Sequence, residues 1–394
     1  MKTQKNNTKE TENQNSEAGH STHRVHKGAK KIAKFMLWMI YTVVVGIILL
    51  EIIFRILYPI SPKPPLVSNN NEQLPLIVYQ PNSLFKHAIR GESLRGVKKQ
   101  TNNYGFVSDI DYVAGSNPDA VVIGDSYVEA FQVDYWDSIT GRLNTYYSNS
   151  GHAISLGRSG AALIEYLAYT EYAVHEFNPQ RLVYVIVGND FNESFCDERN
   201  SNKFYCLDNE FNTIPSTIPQ QAKLQKFISQ FIHSSSLQWF LNRIFSVDLH
   251  QLIKNWVIDR GLFEKDTNKP DYIANVTFSM EPEIFEKSYT AIDYFLEKVG
   301  NLAGDIPVLF IVDSDRLNMY ERKKFPEAYF EKMRTYFINE AESLDYEVID
   351  LDPIFTQRYA THGEKFEFRQ DAHWNELGHE VAFTAILESG FLTQ

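Results

Sequence analysis

Residues 120–131 read Ala-Val-Val-Ile-Gly-Asp-Ser-Tyr-Val-Glu-Ala-Phe, and this stretch of the 394-residue chain decides the fold. A short β-branched run ends at Gly124, a pattern typical of a strand followed by a sharp turn. Ser126 therefore follows the carboxyl end of a strand, the edge where open α/β sheets bind their ligands. A serine at that edge can act as a nucleophile if a base and an oxyanion-stabilising group reach it.

The remaining chain alternates strand patterns with helix patterns. Such alternation indicates βαβ units and a parallel sheet. A mainly helical insertion, with helices at 224–232 and 237–258, is expected at about 191–284. The predicted strands are 120–123, 153–156, 181–187, 307–312 and 346–351, and the predicted helices are 138–147, 161–177, 285–299, 328–344 and one from His379 to about 388.

The N-terminal region predicts a membrane anchor. Residues 1–31 are polar and read as a disordered tail, and residues 32–58 are apolar enough and long enough to cross a bilayer as a helix. A buried core helix would be shorter, and no small-residue cleavage site of a signal peptide follows. The start of the span is flanked by Lys27, Lys30, Lys31 and Lys34, so the tail is expected in the cytoplasm and residues 59–394 outside it. Residues 59–100 are interpreted as an extracytoplasmic linker and entry segment, and residues 101–394 as the main domain that contains the insertion.

Composition limits the possible partners. The formal net charge is −12; residues 1–58 hold nine Lys/Arg and four Asp/Glu, so the remainder, with 29 basic and 46 acidic residues, carries −17. An acidic body argues against a nucleic-acid partner. The chain has two cysteines, which excludes a four-thiolate metal site, and no metal or cofactor is expected. Cys196 and Cys206 flank a short polar loop, and in an oxidising compartment we expect them to form a disulfide.

Four short motifs occur in a fixed order and resemble the sequence blocks of the SGNH (GDSL-type) hydrolase family. This resemblance covers about residues 103–387 and implies a flavodoxin-like three-layer α/β/α sandwich around a parallel five-stranded sheet. It also implies an esterase, lipase, carbohydrate acetylesterase or acyltransferase. The motifs are Gly124-Asp125-Ser126, the turn from Gly157 to Gly160, Gly188-Asn189-Asp190 and Asp371-Ala372-His373-Trp374.

The resemblance implies a role for each motif. Ser126 would attack an ester carbonyl, His373 would take its proton, and Asp371, two residues away on the same loop, would orient the imidazole. The backbone N–H of Ser126, the N–H of Gly160 and the side-chain amide of Asn189 would bind the oxyanion, as implied by the family pattern. Gly157 is the alternative to Gly160 in that set.

Two positions depart from the usual family pattern. Ser155 stands where the second block usually has an asparagine, which weakens that alignment. The Asp-x-His spacing is shorter than the common Asp-x-x-His, and it resembles the spacing in polysaccharide O-acetyltransferases of the same superfamily. Ser314, between Asp313 and Asp315, is a rival nucleophile that no glycine shapes, and His379 is interpreted as structural.

Three functions are compatible with these residues. The first is a membrane-anchored serine esterase that hydrolyses acyl esters, expected to be O-acetyl esters, of an envelope glycan or lipid. The second is an O-acyltransferase that uses the same triad on an envelope polysaccharide. The third is a non-catalytic binding or assembly protein. The sequence does not separate hydrolysis from transfer, because the difference lies in water exclusion and acceptor binding.

Overall fold

The chain divides into two compact units, Met1–Tyr58 and Pro59–Gln394, in the computed structural model. The helices predicted at 224–232 and 237–258 lie outside the residues that the structure describes. The described residues are 31, 34–54, 56, 63–69, 71–87, 96–148, 152–196, 205–208, 213–215, 272–273, 276–277, 280–321, 328–368 and 371–393.

The first unit contains helix α1, Lys34–Phe54, which is 21 residues long. Its large apolar side chains are mostly exposed, as a lipid-facing helix would require. Its length and composition suffice to cross a membrane, although an N-terminal signal sequence would pass the same test. The apolar helix expected here is therefore present, while its insertion and orientation stay predictions.

In the second unit, two N-terminal hairpins precede residue 120, and the strands of the main sheet then alternate with helices. Single 3₁₀ turns occur at Tyr135–Asp137, Asn192–Ser194 and Phe391–Thr393. The strands are β1 (Leu66–Ser68), β2 (Ile77–Tyr79), β3 (Leu84–His87), β4 (Val97–Gln100), β5 (Ala120–Gly124), β6 (Ala153–Gly157), β7 (Leu182–Ile186), β8 (Tyr205–Leu207), β9 (Thr213–Pro215), β10 (Tyr272–Ile273), β11 (Val276–Thr277), β12 (Val308–Val312), β13 (Glu347–Asp350), β14 (Glu367–Phe368) and β15 (Asp371–Trp374). The further helices are α2 (Ser126–Glu129), α3 (Ile139–Tyr146), α4 (Leu163–Phe177), α5 (Pro282–Ala303), α6 (Arg316–Glu321), α7 (Tyr329–Ser343), α8 (Leu351–His362) and α9 (Glu376–Ser389).

Five of these strands form one parallel sheet in the order β13-β12-β7-β5-β6. Numbered along the chain, this order is 2-1-3-4-5, which is the flavodoxin-like order of a doubly wound sheet. The predicted fold class is thus confirmed. All five predicted strands are present, with ends within one or two residues of the predicted ones.

The sheet lies between two hydrophobic cores, which gives the three layers. Val121 and Ile123 belong to one core and Ala120 and Val122 to the other, because successive side chains of a strand point to opposite faces. Helices α4, α5 and α7 pack on the first core, and α3, α8 and α9 on the second. Both faces are covered, which explains why strands such as β7 are apolar at every position and fully buried.

Several features differ from the sequence expectations. Helices α6 and α8 are absent from the predicted elements. Asp371 and His373 lie on strand β15, which pairs with β14, rather than on a loop. Residues 59–100, interpreted as a linker and entry segment, contain two antiparallel hairpins, β1–β2 and β3–β4, and β2 is buried at all three positions.

Candidate active site

The candidate site lies where the order of the sheet reverses. Strands β5 and β7 are neighbours, although β6 separates them along the chain. Ser126 begins helix α2 directly after β5, and Asn189 follows β7. Crevices outside the carboxyl ends of strands at such a switch point are the usual ligand sites of open α/β sheets.

Two glycines let helix α2 approach the edge of the sheet. A Cβ atom at Gly124 would lie 2.5 Å from Cγ2 of Val128, and one at Gly157 would lie 2.7 Å from the backbone N of Glu129. Neither distance is compatible with a real side chain. Gly124 is therefore needed because Val128 occupies the space beside it, rather than for the turn that the sequence suggested.

The structure brings Ser126, His373 and Asp371 into one hydrogen-bonded line. The distance between His373 Nε2 and Ser126 Oγ is 2.7 Å, and His373 Nδ1 bonds Asp371 Oδ1. Asp371 Oδ1 also accepts from the backbone N–H of His373 at 3.0 Å. With the imidazole proton on Nδ1, the Nε2 lone pair faces the hydroxyl proton of Ser126, as a general base requires.

The electrostatics keep Asp371 ionised. Burial by itself would raise the pKa of this carboxyl, but the hydrogen bond and the charge of His373 outweigh it and lower the pKa to about 2. Asp371 is therefore a carboxylate at any physiological pH. It can hold the Nδ1 tautomer and stabilise the imidazolium that forms when His373 takes a proton.

A second carboxylate, Asp125, joins Ser126 to Asn189. Its Oδ1 accepts from the backbone N–H of Tyr127 at 2.9 Å and caps helix α2. Its Oδ2 accepts from Asn189 Nδ2 at 3.3 Å and lies 3.2 Å from Ser126 Oγ, whose single proton faces His373. Asn189 is itself nearly buried, and the carboxylate of Asp190 accepts from the backbone N–H of Val187 at 2.8 Å, which fixes the turn. The Asn189 amide thus lies on the Ser126 side of the sheet edge.

The turn from Gly157 to Gly160 borders the same crevice. Gly160 has φ +82° and open space around its missing side chain, whereas Gly157 is packed against Val128 and Glu129. Both oxygens of Glu129 accept from Ser159, one from its backbone N–H at 3.1 Å and the other from its hydroxyl. A left-handed φ explains why glycine occupies position 160.

A buried polar network supports the hairpin that carries Asp371 and His373. The Tyr127 hydroxyl donates to the carbonyl of Ala372 at 2.8 Å and accepts from Arg316 Nη2 at 2.6 Å. Arg316 also pairs with Asp313, and Asp313 accepts from the Trp374 indole N–H at 3.0 Å. Tyr127 and Arg316 were missed in the sequence, because nothing in their local pattern shows that they meet residues far along the chain.

Ser314, the rival nucleophile, and His379, interpreted as structural, both lie in the protein interior. Ser314 is fully buried, and its backbone N–H donates to Asp313, so the rival Ser/Asp pair belongs to the network behind the hairpin. His379 is buried and its ring lies edge-on to Trp374 at 5.6 Å, consistent with a structural residue.

The disulfide between Cys196 and Cys206 is present, which confirms the predicted pairing. It is accompanied by a backbone hydrogen bond of 2.8 Å from the N–H of Cys196 to the carbonyl of Leu207. The bridge therefore ties strand β8 to the segment that follows Asn189. Among the residues that the structure describes, no group of three metal-ligating side chains occurs.

No protein-family model matches this sequence, and no curated protein matches it. Solved structures do match in three dimensions. A lipolytic protein of the G-D-S-L family from Veillonella parvula DSM 2008 is 12% identical, with 68% of this chain and 96% of that chain covered and a TM-score of 0.35. LAE5, an alpha/beta hydrolase enzyme from the Lake Arreo metagenome, is 14% identical, with coverages of 72% and 99% and a TM-score of 0.38.

The lipase/acylhydrolase from Enterococcus faecalis is also similar, at 12% identity, 69% and 95% coverage and a TM-score of 0.35. The strand order and the two cores establish the fold, which is the one expected for the SGNH (GDSL-type) hydrolases that the four motifs resemble.

Proposed function

We propose that this chain is a membrane-anchored, extracytoplasmic serine esterase that hydrolyses acyl esters, O-acetyl esters of an envelope glycan or lipid in particular. One observation carries the proposal: Ser126 Oγ lies 2.7 Å from His373 Nε2, while the other imidazole nitrogen bonds Asp371. A serine, a base and an orienting carboxylate in hydrogen-bond reach of one another are the arrangement that activates a hydroxyl for acyl transfer.

In the acylation step, Ser126 Oγ forms a bond to the ester carbonyl carbon as His373 Nε2 takes the hydroxyl proton. The carbonyl oxygen becomes an oxyanion. Collapse of this intermediate breaks the bond to the alcohol oxygen, which leaves with the proton from His373. Asp371 keeps its charge throughout and stabilises the imidazolium.

The oxyanion needs donors that are already in place. The N–H of Ser126, the first residue of α2, the N–H of Gly160 and the amide of Asn189 are the proposed donors. Support comes from the sheet order, since β5, β6 and β7 end beside one another and carry these three positions on their following turns.

In the deacylation step, His373 takes a proton from water, whose oxygen attacks the acyl carbon of the Ser126 ester. The carboxylic acid leaves and Ser126 regains its proton. Transfer to a sugar hydroxyl would follow the same steps with that hydroxyl in place of water, so the same three side chains serve both reactions.

The test uses the full chain in detergent with 4-nitrophenyl acetate and a fluorophosphonate probe. Ser126→Ala and His373→Ala should each remove nearly all turnover, and the double variant should be little worse, because the residues act as one unit. Asn189→Ala should lower kcat by about 100- to 1000-fold, as loss of one oxyanion donor does elsewhere. Ser126→Ala should also lose probe labelling.

Ser314→Ala is the matched control and should keep turnover and labelling. Turnover and labelling that survive in Ser126→Ala would contradict the proposal, and so would a wild type that neither turns over acyl esters nor reacts with the probe. An added oligosaccharide acceptor separates the two reactions: acetyl groups recovered on the sugar rather than as acetate would make the chain a transferase.

A further inference from the structure

Glu129 is a buried carboxylate that the proposed mechanism does not use. It is 2% exposed and is the last residue of helix α2, the helix whose first residue is Ser126. Burying a carboxylate is costly unless hydrogen bonds or charges compensate it. Its partners therefore show what it holds in place.

Two of its hydrogen bonds come from the Gly157–Gly160 turn, beside one from the Tyr79 hydroxyl. Glu129 Oε1 accepts from the backbone N–H of Ser159 at 3.1 Å, and Oε2 accepts from the Ser159 hydroxyl. Both oxygens of one carboxylate thus bind one residue, the one directly before Gly160. Two hydrogen bonds to a single residue fix its orientation as well as its distance.

The turn and helix α2 are also in close van der Waals contact. Gly157 is so close to the backbone N of Glu129 that a Cβ atom there would lie 2.7 Å from it. Helix α2 ends directly after Glu129, because Ala130 has a left-handed φ of 49°. The side chain of Glu129 consequently leaves the helix at the point where the turn approaches it.

The N-terminal segments add charge to this site. Lys63 Nζ lies 4.1 Å from the ring centroid of Phe131 and interacts electrostatically with Glu129 and Asp371. Burial, followed by the charge of Glu129, raises the pKa of the Tyr79 phenol well above its usual value. Tyr79 therefore stays a neutral hydroxyl beside the carboxylate.

We propose that Glu129 is a positioning residue: it holds the Gly157–Gly160 turn against α2 and so fixes the backbone N–H of Gly160 relative to Ser126. The inference rests on the proposed esterase function. An oxyanion donor contributes mainly in the transition state, so its displacement should lower kcat and leave KM nearly unchanged.

The experiment measures hydrolysis of 4-nitrophenyl acetate by the full chain. Glu129→Met keeps the side-chain length and removes both acceptors, and Ser159→Ala removes the hydroxyl donor. Loss of a whole oxyanion donor costs about 100- to 1000-fold, so a displaced donor should lower kcat by about 10- to 100-fold in Glu129→Met and less in Ser159→Ala. KM should stay within about twofold, and binding of phenylboronic acid, which forms a tetrahedral adduct with serine, should weaken in parallel with kcat.

Conservative variants provide the rescue. In Glu129→Gln the amide oxygen can still accept from the Ser159 N–H, and the amide nitrogen can donate to the Ser159 hydroxyl oxygen. We therefore expect kcat to recover to within about fivefold of wild type, a factor that corresponds to one hydrogen bond. The matched control is Glu176→Met. Glu176 accepts from the Tyr104 hydroxyl at 2.8 Å near the far end of α4, and its loss should not change kcat.

The outcomes separate the two proposals. An active wild type with unchanged kcat in both Glu129→Met and Ser159→Ala would overturn the positioning role and leave the esterase intact. A purely structural role predicts a lower unfolding temperature with kcat and KM both altered and no rescue by Gln, and that result would also overturn it. If Glu129→Met does not fold, Ser159→Ala decides. A wild type inert to both ester and fluorophosphonate would instead overturn the esterase proposal itself.

Discussion

Histidines in this chain differ in chemistry because their surroundings differ. Burial lowers the pKa of His379 to about 3, with further repulsion from Lys99, Arg142 and His373. His379 is therefore neutral in the folded protein, while the same imidazole in the unfolded chain has a pKa near 6.5. Among the histidines that the structure describes, only His373 presents a ring nitrogen to Ser126.

This difference predicts acid sensitivity. Between pH 6.5 and pH 3 the unfolded chain binds a proton at His379 that the folded chain does not, so the free energy of unfolding falls as the pH falls. The contribution is fully present above pH 6.5 and amounts to about 2 kcal/mol lost by pH 5. His379→Leu should remove that part of the slope between pH 7 and pH 5 in urea unfolding.

The exposed His362 offers the control, since His362→Leu should keep the wild-type slope. The comparison is between slopes, so a uniform loss of stability in the buried variant does not affect it. Equal slopes for wild type and His379→Leu would contradict the prediction.

At the residue scale, the sequence predicts a site residue best where a short motif contains a side chain with characteristic chemistry, such as a serine nucleophile or a histidine base. Ser126, His373 and Asp371 were named from short motifs, and the structure brings them within hydrogen-bond reach, although their catalytic roles stay a proposal. Glu129 and Tyr127 were not found, because a buried carboxylate and a buried phenol look like ordinary helix residues until their distant partners are known.

Among the elements, the hairpin β14–β15, which carries Asp371 and His373, is held in place by a hydrogen bond from helix α2. It is short, and the Ala372 carbonyl between Asp371 and His373 accepts from the Tyr127 hydroxyl. Tyr127→Phe removes this hydrogen bond and also the one that the hydroxyl accepts from Arg316. Since one neutral bond contributes about 1 kcal/mol, kcat on 4-nitrophenyl acetate should fall by at least about fivefold as the imidazole becomes less well oriented.

Tyr104→Phe is the control for that change. It removes a tyrosine hydroxyl that donates to Glu176, away from the hairpin, and should leave kcat unchanged. If Tyr127→Phe and Tyr104→Phe had the same kcat, the Tyr127 hydroxyl would not be required to orient His373, and the prediction would be wrong.

Strands could be predicted from the sequence where both of their faces are buried by helices. β5, β7 and β12 are continuous apolar runs, and these were found with ends within two residues. Helix α8 was missed because only Leu351 and Phe355 are buried, too few to give a helical stripe. The strands of the N-terminal hairpins are only three or four residues long, and all but β2 mix polar with apolar positions, so their pairing depends on contacts that no local pattern shows.

For the whole molecule, the distribution of basic residues and the disulfide predict the orientation of the chain in the membrane. The basic residues before α1 favour a cytoplasmic N-terminus, and a disulfide in the second unit fits an oxidising compartment. We therefore expect alkaline phosphatase fused after Gln394 to be active in a bacterial host, and β-galactosidase fused at the same position, a reporter that works only in the cytoplasm, to be inactive. Activity of the β-galactosidase fusion and not of the phosphatase fusion would reverse the orientation.

The hydrogen bond between Ser126 and His373 joins residues that are 247 positions apart. During biosynthesis the strand before Ser126 is therefore made long before the segment that supplies its base. A chain that stops short of Asp371 carries the proposed nucleophile without its base or its orienting acid. Unfinished polypeptides would consequently be inert toward esters, and hydrolysis would begin only once translation is nearly complete and the last helix has packed onto the sheet.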